Sequence, residues 1–394
     1  MTYLLTEPDP TERESLGAYL ARGGYRGLAE ARTRGGRWVL EQVEQAGLRG
    51  RGGSGRGGLI AEKWQKVARA TSVTRYLIAN GAESSPVSQR DRYLMTWFPH
   101  RVLEGLLIGA VALGAEELWL YARGDSQESL DSLTLALQEA ESAELLGGVS
   151  IQLQPSPAHY IAGEESAVID SLEGLEGLPQ PRPPHPEEAG LRGCPTAVQN
   201  LESLAAVAAL FRHGRERFAA VGTPDCPGTA LFTVSGAVAR PGVYEVDYGT
   251  TLRTLLDLAG APSADQLLAV LPGGLSSGPL RPDELEVPLT YEDLAAVGTS
   301  MGPSAVVVFA KANASLLAMV TETVDLLKEA ACGQCRGCKE GHQELSKALH
   351  QGDLGMARDL ATVLLYGKGN CAHPTGTARL ALRALQAFPK ERWE

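Results

Sequence analysis

The chain predicts an α/β sandwich, then a small β-grasp-like module, then a C-terminal four-helix bundle. Three observations carry this. Helical and strand-like segments alternate through residues 1–227, the pattern of a layered α/β fold. Short strands around one tight turn fill 228–311, and from 312 to 394 the apolar spacing turns purely helical.

In the first region RWVLEQVEQAGLRG has apolar residues at helical spacing and ends in glycine, so it reads as a helix with a glycine stop. TRYLIAN, ELWLYAR and GGVSIQLQP are short and apolar, like buried strands, and RVLEGLLIGAVALGA is a helix. YLIANGAESSP (76–86) and YIAGEESAVIDSLEG (160–174) read as strands that each run into a small-residue turn and glutamates. That would place Glu83, Glu164 and Glu165 at strand ends, the usual ligand position in open α/β sheets. GCPTAVQNLESLAAV (193–207) begins a helix after Asn200, and PQPRPPHPEE (179–188) is a proline-dense surface loop.

The second region holds a strand, a turn at Arg240-Pro241-Gly242, a second strand, a short helix and two further strands, LLAVLPGG and SAVVVFA. In the third, ASLLAMVTETVDLLKEA leads into a run of cysteines, and QELSKALH, LGMARDLATVLLYG and TARLALRALQAF give three more helices.

With 36 Lys+Arg against 47 Asp+Glu the net charge is -11, which argues against general nucleic-acid binding. No apolar run approaches the roughly 20 residues that span a bilayer. The N-terminus, MTYLLTEPDPTERES, lacks a basic region followed by an apolar stretch, so a cytoplasmic protein is expected. Its thiols would then be reduced, which favours metal ligation over disulfides.

Cys332, Cys335 and Cys338 form C-x2-C-x2-C, and Cys371 follows 33 positions after Cys338. Three closely spaced cysteines with one distant fourth favour a [4Fe–4S] cluster, with structural zinc or unligated buried thiols as the alternatives. Cys194 and Cys226 sit apart and read as core or loop thiols. The glycine-dense stretch GLRGRGGSGRGG (47–58) could bring backbone N–H groups to an anion such as a flavin phosphate. It matches neither the P-loop nor the Rossmann fingerprint, so a flexible loop is the competing reading.

Together these segments resemble the NADH-binding flavoprotein subunit of respiratory complex I and its relatives in NAD-linked hydrogenases and formate dehydrogenases. The likeness runs through LGAYLARGGYRGL, GLRGRGGSG, YIAGEES, GCPTAVQNLESLA, SGAVARPGVYE, LPGG and CGQCRGCKEG. It implies a Rossmann-like FMN-binding domain, a ubiquitin-like soluble-ligand-binding β-grasp domain and a helical bundle holding one [4Fe–4S] cluster. It also implies a thioredoxin-like [2Fe–2S] subunit or a larger iron–sulfur subunit as partner, and a place peripheral to a membrane complex. By the same resemblance Gly50, Arg51, Gly52, Gly53 and Lys63 would hold the flavin phosphate and ribityl chain. Asn80, Glu83, Tyr160, Gly163, Glu164 and Asn200 would line the ring, and Glu165 would be the carboxylate near both flavin and nicotinamide.

The dinucleotide positions depart from that family. Arg56, Lys66 and His185 stand where it has phenylalanines that stack on NADH. At about 0.5–1.5 kcal/mol per aromatic pair, losing all three would weaken NADH binding by one to three decades. Ala82 and Ser85 replace two acidic residues, and Gln199 replaces an asparagine. Three functions compete: oxidation of NAD(H) with single electrons passed through FMN to the cluster, an FMN/[4Fe–4S] conduit between protein partners that binds no nicotinamide, or a binding or scaffold role with the β-grasp module as the working part, which the four cysteines and the glycine loop disfavour.

Overall fold

The computed structural model describes residues 3–5, 10–53, 57–312, 315–389 and 393; Arg56 lies outside them. Its first sheet has four parallel strands, β1 (Tyr76–Gly81), β2 (Glu117–Arg123), β3 (Ser150–Ser156) and β4 (Thr196–Asn200), in the order β3-β2-β1-β4. Alternate side chains enter opposite cores, as a two-residue period requires. Leu77, Ala79, Leu118 and Leu120 join the main core. Tyr76, Ile78, Trp119 and Tyr121 pack with Val168 and Leu191 on the other face. Burial on both faces explains why the inner strands β1 and β2 are apolar through most of their length, whereas the edge strand β3, SIQLQPS, alternates and is partly exposed.

The Pro99–Leu113 helix is buried on nearly every side because it lies on this sheet against the Leu201–His213 helix. The two helices touch at Gly105, where an added Cβ would sit 1.9 Å from the Leu204 carbonyl oxygen. Gly105→Ala should therefore force the helices apart and cost at least the 1–3 kcal/mol typical of overpacking, about the upper end here because backbone cannot yield like a side chain. Urea denaturation with an unchanged midpoint would refute this packing.

The second sheet has β5 (Thr229–Gly236), β6 (Gly242–Asp247), β7 (Leu267–Leu271) and β8 (Ala305–Ala310) in the order β6-β5-β8-β7. β5 and β6 form an antiparallel hairpin, β5 and β8 run parallel, and β7 is antiparallel to β8. The Leu252–Leu258 helix and Phe232, Val234 and Val270 share one core. Leu231 and Val243 pack into the core of the first sheet. Leu268, Leu271 and Val307 pack into that of the C-terminal helices. The second sheet is thus wedged between the other two parts.

Four helices close the chain: Leu316–Glu329, His342–His350, Leu354–Tyr366 and His373–Ala387. Each packs on the next, and the first meets the last. Among the described residues no helix is long and apolar enough to cross a membrane.

The strand expected at the start of 160–174 is absent. Residues Tyr160–Gly163 form a 3-10 turn and not a strand, leading into the Glu165–Leu172 helix. Glu164 is the N-cap of that helix, its Oε2 accepting from Ser166 N at 2.9 Å, so it and Glu165 lie at a helix start rather than a strand end. The helix expected after Asn200 is present as Leu201–His213; TAVQN before it, to which the sequence reading gave no element, is the strand β4, extended through its pairing with β1.

Candidate functional site

The chain leaves β1 toward β2 on one side, and β4 later returns to the other, so the sheet has its topological switch between β1 and β4. Ligands of open α/β sheets bind in the crevice at such a point. Asn80 and Asn200 are register partners there, at the adjacent C-terminal ends of the two strands.

The glycine-rich loop lies over this crevice. It is closed by a bridge between Arg49 and Leu59 and by Gly50 N donating to Gly58 O at 2.8 Å. Gly50 lies against Gln199, and Gly52 against Asn200, where added Cβ atoms would come within 3.8 and 4.0 Å. Gly52 is half-buried and Gly53 exposed. Arg51 departs from expectation. Its guanidinium is buried, bonded to Glu202 at 3.3 Å, and its backbone N–H donates to Ser203 Oγ at 2.8 Å. A charge so placed holds the loop to the interior, while its Nε and Nη2 are buried with no partner.

Lys63, on the Ile60–Arg69 helix, donates to the Val198 carbonyl at 3.0 Å and pairs with Glu165 Oε1. Arg182 of the proline-dense loop, which the sequence reading overlooked, reaches Glu164 Oε1 at 2.5 Å and Glu165 Oε2 at 3.4 Å. Burial raises the Glu165 pKa, but Lys63 and then Arg182 outweigh it and hold the carboxyl below its usual range. Asn80 Nδ2 donates to the Gly163 carbonyl at 2.8 Å. Gly163 permits this approach, since a Cβ there would meet the Ala82 carbonyl oxygen at 2.7 Å.

Glu83 turns from the crevice: Oε1 accepts from Ser88 Oγ at 2.5 Å and Oε2 from Arg92 N at 3.0 Å. Asn200 is largely committed, its Oδ1 accepting from Glu202 N at 3.0 Å and its Nδ2 donating to Asp91 Oδ2 at 2.6 Å. Asp91, Arg90 and Glu202 were all missed. Their one sequence signal is charge inside otherwise apolar segments, QRDRYLM and NLESLAAV. At the Lys66 and His185 positions the side chains are exposed.

The residues fit a flavin in part. Glycines form a cradle, the buried Gln199 Oε1 has no partner, and Lys63 supplies a cation at the crevice.

The cysteines fit a cluster. Cys338 is buried in a π-helical turn, Gly337–Gly341, which runs into the second C-terminal helix. Its sulfur lies 4.0 Å from that of Cys332. Gly369 lies against the Cys335 sulfur, where a Cβ would come within 3.3 Å. Burial, then the nearby Cys332 and Cys335, push the Cys338 thiol far up. Cys371 rises to about 11 through burial chiefly, with Cys332, Glu164 and Cys335 adding to it. Thiols that raise one another in this way become stable thiolates only beside bound cations. Among the described residues no three metal-ligating side chains converge on the point a single ion would need. A run of three closely spaced cysteines with one distant fourth is the ligand pattern of a four-iron cube rather than of zinc, which takes two separated pairs. Cys194 and Cys226 are free and lie elsewhere in the chain.

The two regions share a wall. The Tyr160 ring packs 5.3 Å from His373, which lies 5.0 Å from His342. Asn370 Nδ2 donates both to Pro179 O at 3.2 Å and to Gln334 Oε1 at 3.1 Å, tying the proline-dense loop to the cysteine loop.

The sequence matches three family models in order: the Nuo51 FMN-binding domain over residues 43–209, the SLBB domain over 231–277, and the NADH-ubiquinone oxidoreductase-F iron-sulfur binding region over 318–393. The NADH-quinone oxidoreductase F subunit of Streptomyces coelicolor is 35% identical over 97% of this chain and 88% of its own length. The chain belongs to the family of NADH-quinone oxidoreductase F subunits. The Mycobacterium tuberculosis member is 36% identical over 97% of this chain and 91% of its own. An NAD+-reducing [NiFe]-hydrogenase, solved in its H2-reduced state, superposes on 99% of this chain and 68% of that one with a TM-score of 0.87 and 31% identity. In this member of the family the FMN-binding match falls on the parallel sheet, and the iron–sulfur match spans the four terminal helices and all four cysteines.

Proposed function

We propose that this chain is the flavin and [4Fe–4S] electron-transfer subunit of an NADH oxidoreductase complex. The observation that carries the reading is the shared wall: the Tyr160 ring beside the crevice packs 5.3 Å from His373, two residues after Cys371, and Asn370 ties the proline-dense loop to the cysteine loop. FMN, when bound, supplies chemistry that accepts a two-electron hydride and gives up single electrons, which a cluster can take.

The chain's own residues would serve that exchange as follows. Gly52, Gly53 and Lys63 receive the phosphate end, with Gly50 and Arg51 anchoring the loop. Asn80, Gly163 and Asn200 border the ring. Lys63 and Arg182 hold Glu165 ionised beside it. Tyr160 and His373 fill the space toward the cysteines and exclude water there. Cys332, Cys335, Cys338 and Cys371 are the cluster ligands. The order β6-β5-β8-β7 with its two short helices, Leu252–Leu258 and Tyr291–Ala296, suits a β-grasp module, and the terminal helices a four-helix bundle, with boundaries near 227 and 311. A partner iron–sulfur protein would take the electrons onward, at the cytoplasmic periphery of a membrane complex.

Anaerobic addition of NADH to protein reconstituted with FMN, iron and sulfide tests this. Bleaching of the flavin absorbance is the expected result. Bleaching by dithionite alone would replace NADH oxidation with the conduit between protein partners, a reading that the exposed Lys66 and His185 positions favour.

A further inference from the structure

Five charged side chains meet in the dry interior behind the ends of β1 and β4. Glu83, Asp91 and Glu202 bring three carboxyls, Arg51 and Arg90 two guanidiniums, and each residue is at most 8% exposed. Fully ionised, this set carries three negative charges against two positive, and Arg123 at its edge faces Glu83. A carboxylate left without a partner of its own is strongly disfavoured in a low-dielectric interior, and a retained proton removes that cost.

Hydrogen-bond accounting shows which carboxyl retains the proton. Glu202 spends Oε1 on Arg51 Nη1 and on Leu231 N, and Oε2 on Arg90 Nη1 at 2.9 Å. Glu83 spends its two oxygens on Ser88 and Arg92 N. Asp91 Oδ2 takes the bond from Asn200, while Oδ1 is buried with no partner. An anion with a dry, unbonded oxygen is the least stable of the three, so Asp91 is the protonated one.

We propose that Asp91 is a proton-holding positioning residue of the flavin site: acting through Asn200, it stays neutral so that no buried anion opposes negative charge arriving on the flavin. The proposal rests on the flavin-site reading above. Burial is the main influence on Asp91 and pushes its pKa to about 8; Arg90 pulls down, Glu83 and Glu202 push up, and Asn200 pulls down. Tyr248 and Tyr291, which face Arg51 and Arg90, are held neutral by burial, and Arg123 bonds the Glu83 carbonyl oxygen at 3.0 Å.

The test is the flavin midpoint potential of the full-length, FMN-loaded protein across neutral and alkaline pH. Above about pH 8 Asp91 is ionised in the oxidised protein. Reduction then delivers two electrons to the flavin and one additional proton from solvent to Asp91 Oδ1. The wild-type plot should steepen there by about 30 mV per pH unit for a two-electron couple, and Asp91→Asn should lack the break. Parallel plots would overturn the proposal. If Asp91→Asn fails to hold flavin, the wild-type reduced-minus-oxidised infrared spectrum above pH 8 decides. A protonated-carboxyl C=O band gained on reduction supports the proposal, and its absence overturns it. A wild-type chain that takes up no FMN overturns the flavin-site reading itself.

Discussion

Cys338→Ser is expected to take bound iron from about four atoms per chain to near none while leaving FMN uptake intact. Of the four cysteines proposed as ligands, Cys338 is the one the fold holds most firmly. It is buried, its sulfur lies 4.0 Å from that of Cys332, and the π turn that carries it opens directly into a packed helix. Serine preserves the volume but offers a hydroxyl that stays protonated and binds iron weakly. Three thiols left without their fourth partner would keep their protons, since burial already holds the Cys371 thiol up. Iron analysis and the broad visible absorbance of the cluster report the loss, and flavin fluorescence after denaturation reports retained FMN. Full iron content in the variant would show that the four sulfurs do not share one cluster. Simultaneous loss of flavin and iron would show that the cluster holds up the flavin domain, contrary to the separate cores of the first sheet and the terminal helices.

The parts legible in sequence are those whose signal is local. C-x2-C-x2-C needs no tertiary context, and the apolar periodicity of RVLEGLLIGAVALGA or TALFTVSG declares a helix or a strand within one window. What sequence could not show is pairing at a distance. TAVQN is a strand because β1 offers it an edge, and YIAG is a turn because Gly163 must meet the Ala82 carbonyl. Arg51 looks like a phosphate ligand in a glycine-rich loop. Only the fold reveals that Glu202, 151 positions later, turns its side chain inward. Arg182 and Asp91 are likewise invisible until the proline-dense loop and the Arg90–Trp97 helix are brought to the ends of β1 and β4.

Glu202→Ala should be among the most destabilising single changes in the chain. Glu202 is fully buried on the first turn of the Leu201–His213 helix and joins three regions: Arg51 of the glycine loop, Arg90 of the Arg90–Trp97 helix, and Leu231 N of β5. Its removal takes from Arg51 and Arg90 the carboxylate that bonds both, at about 3–5 kcal/mol, and leaves one buried N–H without an acceptor, at about 1–3 kcal/mol. Against a total stability of about 5–15 kcal/mol this approaches unfolding, and urea denaturation should show it. A loss below about 1 kcal/mol would mean that water enters the cluster of charges. The pH dependence separates the electrostatic cause from a simple cavity. In the wild type, Asp91 keeps its proton to about pH 8 when folded but loses it near 3.8 when unfolded. Between those values the native state binds more protons than the unfolded chain, so this group makes stability fall as pH rises. Glu202 is one of the charges that push Asp91 up, and without it Arg90 is free to pair with an ionised Asp91. The alkaline fall should therefore flatten in Glu202→Ala, narrowing its deficit relative to wild type as pH rises. A deficit constant across that range would assign the whole effect to lost packing.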